Sequence, residues 1–228
     1  MTRRNVFITG GTGYIGRVLI PRLLESGHTV RALVRRGSEQ KLPSGCESVI
    51  GNALDEASFA DQVRPSNTFV QLVGVPHPSP ARAAEFRSID LASARASVSA
   101  AARAGVERFI YVSVAQPAPV MKAYQAARAE GERLIRESGM NATIIRPWYV
   151  LGPGHRWAYS LIPMYWLFDR LPATRKTARR LGLVTLDQMV SAIATAVGSS
   201  AEGVRICDVP SIREAAKPAS RAGFSTTH

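Results

Sequence analysis

Two rhythms of apolar and polar positions alternate along this chain. Short runs of consecutive β-branched and aromatic residues give way to longer stretches with apolar positions three and four apart. The runs predict strands at Asn5–Thr9 (NVFIT), Thr29–Val34 (TVRALV), Glu47–Ile50, Thr68–Val73 (TFVQLV), Arg108–Ser113 (RFIYVS) and Ala142–Arg146 (ATIIR). Helices are predicted between them at Tyr14–Ser26, from about Ala81 to Ala104, and at Met121–Ser138. Gly27, Gly105 and Gly139 stop them. The first helix carries Ile15, Val18, Leu19 and Leu23 on one face, and Pro21 inside it removes a backbone donor and predicts a kink. A further helix is expected at Leu186–Val197 and a short strand at Val204–Val209.

Strand, helix and strand repeated in this order argue for an α/β fold, a doubly wound parallel sheet of Rossmann type with helices on both faces. The regularity breaks after Pro147, where a stretch to about Thr185 holds Gly152-Pro153-Gly154, Pro163, Pro172 and many aromatic residues. One domain is expected over residues 1–212, with 148–185 as a small irregular cap. Residues 213–228, rich in Ala, Ser, Thr and Pro, read as a flexible tail.

Composition narrows the classes. The chain has 228 residues, 46% hydrophobic and 20% charged, which suits a folded domain and excludes collagen, coiled coil and disordered tails. The apolar aromatic run Trp157–Phe168 contains Pro163 and is too short to span a bilayer. MTRRNVFITGG does not read as a secretory signal. Cys46 and Cys207 form no CxxC pair and sit near no His cluster, so no metal site is expected, and a reducing, cytoplasmic location fits. The net charge is +12, half of it between Arg146 and Arg180. That stretch reads as a solvated basic face, an anion site, a contact for an acidic partner or a membrane-surface patch. No nucleic-acid-binding signature accompanies it, so nucleic acid is not an expected partner.

The strongest chemical signal is Thr9-Gly10-Gly11-Thr12-Gly13-Tyr14-Ile15-Gly16, between an apolar strand and a helix. Glycines there let the backbone turn tightly and approach a pyrophosphate held at the helix N-terminus. The end of the second strand reads Leu33-Val34-Arg35-Arg36, with no carboxylate before Glu39. A guanidinium binds a 2′-phosphate where an acid would repel it, so NADP(H) is the expected cofactor, with Arg35 ahead of Arg36. The other reading leaves both as solvated loop charges.

The G-x-x-G-x-x-G spacing through Gly10, Gly13 and Gly16 resembles the short-chain dehydrogenase/reductase superfamily. TGGTGYIG, then YVS at Tyr111–Ser113, YQAAR at Tyr124–Arg128 and RPWYVLGPG at Arg146–Gly154 most resemble its atypical, NmrA-like and epimerase-like branch. The resemblance covers roughly residues 5 to 155, continues more loosely to about 209, and implies roles for matching positions. Gly10, Thr12, Gly13, Tyr14, Ile15 and Gly16 would cradle the dinucleotide. Asn52 and Ala53 would meet adenine, where the family usually has Gly-Asp and an apolar residue. Val73 and Gly74 would pass beside the ribose, and Pro147 would lie against the nicotinamide carboxamide. Tyr124 would be the acid/base of a Tyr-x-x-x-Lys motif whose lysine slot holds Arg128, which would hold the nicotinamide ribose, and both lie on one helical face. Ser113 would be the strand-end hydroxyl, although the next position, often also a hydroxyl, is Val114. Trp148, Tyr149 and Trp157 would wall the substrate, and His77 lies in a Pro-rich loop facing the same end.

The reading that follows is an NADP(H)-dependent oxidoreductase acting on a small carbonyl or alcohol, with isomerase or dehydratase chemistry on a recycled cofactor as a variant. The alternative is a non-catalytic NADP(H)-binding sensor or assembly protein, favoured by the loss of the lysine. Homo-oligomerisation and a minor peripheral membrane contact are further expectations.

Overall fold

The structure is a computed structural model, and it describes residues 3–153, 181–200 and 202–216. Among these, Asn5–Thr9 (β1), Thr29–Val34 (β2), Glu47–Ile50 (β3), Thr68–Gln71 (β4), Arg108–Val112 (β5), Asn141–Ile145 (β6) and Val204–Cys207 (β9) form one parallel sheet. Its order is β3-β2-β1-β4-β5-β6-β9. Helices Gly16–Glu25 (α1), Ala92–Ala104 (α3), Lys122–Glu137 (α4) and Leu186–Gly198 (α5) cover it. Right-handed crossovers force consecutive parallel strands to wind outward in two directions, and the reversal falls between β1 and β4. The doubly wound expectation therefore holds.

Both faces are buried, which explains why the strands read as continuous apolar runs rather than as alternations. Val6, Ile8, Val30, Val70, Ile110 and Ile145 pack with Leu19, Ile20 and Leu23 of α1 and with Met189, Val190 and Ile193 of α5. Each such side chain contributes roughly 2 kcal/mol of burial. On the other face Phe7, Phe69 and Phe109 lie side by side on adjacent strands, with neighbouring ring centroids 5.2 Å apart. They join Ala94 and Ala101 of α3 and Ile135 of α4 in a second core. Two residues further along the same strands, and so on the same face, come Thr9, Gln71 and Tyr111, all fully buried. An aromatic layer thus gives way to a polar one at the carboxyl ends of the strands.

The structure corrects several boundaries. β4 and β5 end earlier than predicted, at Gln71 and Val112, because the backbone beyond them turns into loops. The helix predicted from Ala81 is divided into one turn, Ala83–Glu85 (α2), a wide π-helical turn, Phe86–Leu91, and α3. Gly105 (φ 73°) closes α3 in the left-handed conformation, as a C-terminal stop requires. The cap contains regular structure: Tyr149–Leu151 (β7) pairs in parallel with Leu183–Thr185 (β8). Thr185 and Gln188 then form a reciprocal capping box that starts α5. The strand predicted to Val209 stops at Cys207, and Val209–Ala215 forms another helix (α6). Asp208 caps it by accepting from the Ser211 N–H, and Pro210 suits its first turn. At the start of the segment expected as a tail, Arg213 donates to the Leu183 carbonyl (2.7 Å) and docks α6 against β8. Residues 217–228, the Trp157–Phe168 run and the basic residues from Arg156 to Arg180 lie outside the described residues.

Candidate active site

At the switch point the end of β1 passes into a glycine turn that leads directly to the N-terminus of α1. Gly10 has φ 79°, and a Cβ there would lie 3.0 Å from the backbone of Leu72 and Val73 just beyond β4. A Cβ at Gly16 would lie 2.5 Å from the carbonyl oxygens of both Gly10 and Gly11. Only glycine fits either position, so the turn sits tightly against its own helix and against the neighbouring strand end. Gly13 is exposed, and its N–H donates to the Gly10 carbonyl (3.0 Å). Thr12 and Ile15 are half-buried in the same turn, and the Tyr14 hydroxyl packs against Gly152, tying the turn to the strand end after β7. The first turn of α1 has no side-chain cap and no acid. A glycine-rich turn leading into a helix start that no side chain caps is what a pyrophosphate needs, and the residues present fit a dinucleotide.

Arg35 and Arg36 are exposed just beyond β2, and no described residue pairs with either guanidinium. Asn52 follows β3, but its side-chain oxygen accepts from the Leu54 N–H (3.1 Å), so part of its acceptor capacity is spent in a local turn. Ala53 packs on the second core. Val73 and Gly74 lie beyond β4, half-buried. Pro147 is buried, and its carbonyl accepts from Ala115 (2.8 Å). Trp148 packs with Ala115, Ala118 and Leu181, and Tyr149 with Leu151 and Leu183. Trp157 lies outside the described residues. His77 is exposed with φ 50°, a left-handed conformation that costs energy for a side chain of this kind.

The other half of the site is built on α4. Tyr124 is half-buried, its ring 5.0 Å from that of Phe86 and 5.2 Å from the Arg128 guanidinium carbon. The same guanidinium lies 5.7 Å from the Tyr111 ring. One of its nitrogens donates to the Val112 carbonyl (2.8 Å), and another pairs with Asp90 at 2.6 Å. Burial works against that cation, but Tyr124, Tyr111 and Asp90 together outweigh it and raise the Arg128 pKa, so it is permanently charged. Burial pushes the Asp90 carboxyl up, with Arg128 and the Val75 N–H pulling against it. Burial likewise pushes up the Tyr111 phenol. The i, i+4 geometry predicted for Tyr124 and Arg128 is present, but the guanidinium is closed in by protein on the sides described.

Ser113 is 2% exposed, and its hydroxyl donates to Glu132 at 2.6 Å. Glu132, one turn beyond Arg128, is itself 1% exposed and takes further bonds from Gln116 (2.9 Å), Arg146 (2.8 Å) and Arg136 (3.2 Å). Burial pushes its carboxyl up, but the hydrogen bonds from Arg146 and Ser113 prevail and hold it below the usual carboxylate range. Val114 is buried beside Ser113. Asp90 and Glu132 were not singled out in the sequence, and Tyr111 entered only as part of the YVS element. The signal was available on α4, where Tyr124, Arg128 and Glu132 recur every four residues in register with buried Ala127, Gly131 and Ile135. A polar stripe on the core face of a helix demands partners.

Among the described residues no cluster of His, Cys, Asp or Glu could hold a metal, and no helix is long and apolar enough to cross a membrane.

A family described as NAD(P)H-binding matches residues 10–159, which takes in both halves of this site. The ceramide reductase of Caulobacter vibrioides is 30% identical over 177 residues, covering 76% of this chain and 55% of that protein. The 3-diazoavenalumate denitrifying reductase of a Streptomyces species is 29% identical over 228 residues, covering 87% of this chain and 73% of that protein. The chain thus spans little more than half the length of the first relative. Among solved structures, the Bordetella bronchiseptica enzyme WbmH in complex with NAD+ superposes with a TM-score of 0.67 at 20% identity. The match covers 89% of this chain and 75% of that one.

Proposed function

The chain belongs to the NAD(P)H-binding family, within the short-chain dehydrogenase/reductase and epimerase-like superfamily, and from that premise we propose an NADP(H)-dependent oxidoreductase acting on a small carbonyl or alcohol. The observation that carries the proposal is the glycine cradle at the switch point. Its Gly10 backbone lies against Leu72 and Val73, next to the Gly74 backbone that rests on Arg128. A nucleotide-binding turn and a tyrosine-bearing helix thereby share one end of the sheet.

In this reading Gly10, Gly13 and Gly16 admit the pyrophosphate, with Thr12, Tyr14 and Ile15 forming the rest of the turn. The exposed guanidiniums of Arg35 and Arg36 take the 2′-phosphate through paired, charge-assisted bonds. Asn52 and Ala53 border the adenine, Val73 and Gly74 the ribose, and Pro147 the nicotinamide. The bound dinucleotide supplies or accepts the hydride. Tyr124 holds the proton at its phenol oxygen and exchanges it with the substrate oxygen. The fixed Arg128 cation lies 5.2 Å from the centre of its ring and holds that ring in place on α4. Trp148, Tyr149 and Trp157 belong to the substrate wall. Ser113 contributes by bonding Glu132 and holding the end of β5 to α4. The setting is cytoplasmic, consistent with the two free thiols, both pushed by burial up to about 11 and so poorly nucleophilic.

The reading is tested by screening small aldehydes and ketones for NADPH oxidation. An active substrate should lose turnover at least about 100-fold in Tyr124→Phe, the upper span of general acid catalysis, with NADPH affinity unchanged. Equal turnover in the variant would remove Tyr124 from the chemistry. A second reading, an NADP(H)-binding sensor of NmrA-like type, is favoured by the engagement of Ser113 by Glu132. It leaves no free hydroxyl at the end of β5 to orient a substrate.

A further inference from the structure

Gly74 lies directly on the buried charge pair beneath it. A Cβ there would stand 2.1 Å from an Arg128 guanidinium nitrogen and 3.0 Å from an Asp90 carboxylate oxygen. The other Asp90 oxygen accepts from the Val75 N–H at 3.1 Å, while Arg128 reaches across to the Val112 carbonyl at the end of β5. Asp90 comes from the π-helical turn, Arg128 from α4, and the backbone they grip from the loop after β4. That loop is fixed from its other side by Gly10, packed against Leu72 and Val73. The side chain of Asp90 is fully buried and that of Arg128 only 5% exposed. A pair so deeply buried is a poor device for stability, since desolvation offsets most of its attraction. Its geometry, by contrast, is highly determined.

We propose that Asp90 and Arg128 act as a strut that sets the Gly74–Val75 backbone against the nicotinamide end of the bound dinucleotide. Both are then positioning residues, neither proton carriers nor ribose ligands. The inference rests on the dinucleotide reading of the site. It places the effect on one half of the ligand only, because Gly13, Gly16, Arg35 and Asn52, assigned to the pyrophosphate and adenine half, make neither a hydrogen bond nor an ion pair with Asp90 or Arg128.

The test compares NADPH with 2′,5′-ADP, which keeps the adenine half and lacks the nicotinamide half, by calorimetric titration of the full chain. Asp90→Asn keeps an acceptor for the Val75 N–H and removes the charge. Asp90→Asn combined with Arg128→Met leaves no lone buried charge and serves if the single variant fails to fold. In whichever variant folds, the NADPH Kd should rise at least about 10-fold, equivalent to about 1.4 kcal/mol, with 2′,5′-ADP within about twofold of the parent. An unchanged NADPH Kd, or equal weakening of both ligands as from a loosened fold, overturns the strut. A parent that binds neither ligand removes the NADP(H) reading on which the strut rests.

Discussion

The two halves of the site achieve precision by opposite means. The glycine turn after β1 works by omission: at Gly10 and Gly16 no side chain fits, and the backbone itself closes against Leu72, Val73 and Gly11. The α4 half works by saturation, with Arg128 and Glu132 nearly fully buried and met by partners from three or more segments. A turn of the first kind is insensitive to charge and intolerant of volume. A network of the second kind tolerates volume better and is intolerant of a missing charge. The same carboxyl end of the sheet therefore contains one region that steric changes break and one that electrostatic changes break.

The largest effect should come from the steric half. Gly16→Ala places a methyl 2.5 Å from two carbonyl oxygens, so the turn must open. A loss of more than about 3 kcal/mol in urea unfolding is expected, with dinucleotide binding abolished. Next comes Glu132→Gln, which leaves Arg146 and Arg136 facing a neutral amide. About 3 kcal/mol should be lost, while Ser113→Ala, removing only a hydroxyl donor, should cost about 1 kcal/mol. If the two variants lose equally, the carboxylate is not the hub of that network. Arg35→Ala should leave the fold intact and raise the Kd for NADPH about 10-fold or more, with NADH unaffected, as removal of a charge-assisted bond implies. The smallest effect is far from the site. His28 is buried with its Nδ1 accepting from the Arg4 N–H, and burial lowers its pKa from 6.5. The unfolded chain therefore takes up the proton first. This contribution is whole above pH 6.5 and declines as pH falls below it, visible as a modest drop in unfolding midpoint that His28→Gln abolishes.

How much of this was legible beforehand follows from the same contrast. The glycine turn announces itself in sequence because backbone demands select residue types locally, as at Gly10 and Gly16. The strands were legible for a related reason: a sheet buried on both faces writes itself as uninterrupted apolar runs such as NVFIT and RFIYV. The saturated half was only partly legible. Tyr124 and Arg128 were found by their spacing, but their partners sit at distant positions and carry no local pattern. Asp90 lies within a helix whose π-helical turn no periodicity reveals, and the partner of Ser113, a candidate strand-end hydroxyl in sequence, is Glu132, 19 residues on. The helix at Val209–Ala215 was missed because α6 is short and its apolar first residue continues the run of β9.

The dinucleotide site is tested by an intrinsic-fluorescence titration of the full chain with NADPH, NADP+, NADH and NAD+ in one buffer, using Trp148, Trp157 and Trp166 as reporters. Saturable quenching by both phosphorylated dinucleotides is expected, at affinities about 10-fold or more above those of the unphosphorylated pair. Equal affinity for all four would contradict the role given to Arg35 and Arg36, and no saturable response to any of them would contradict the dinucleotide site itself.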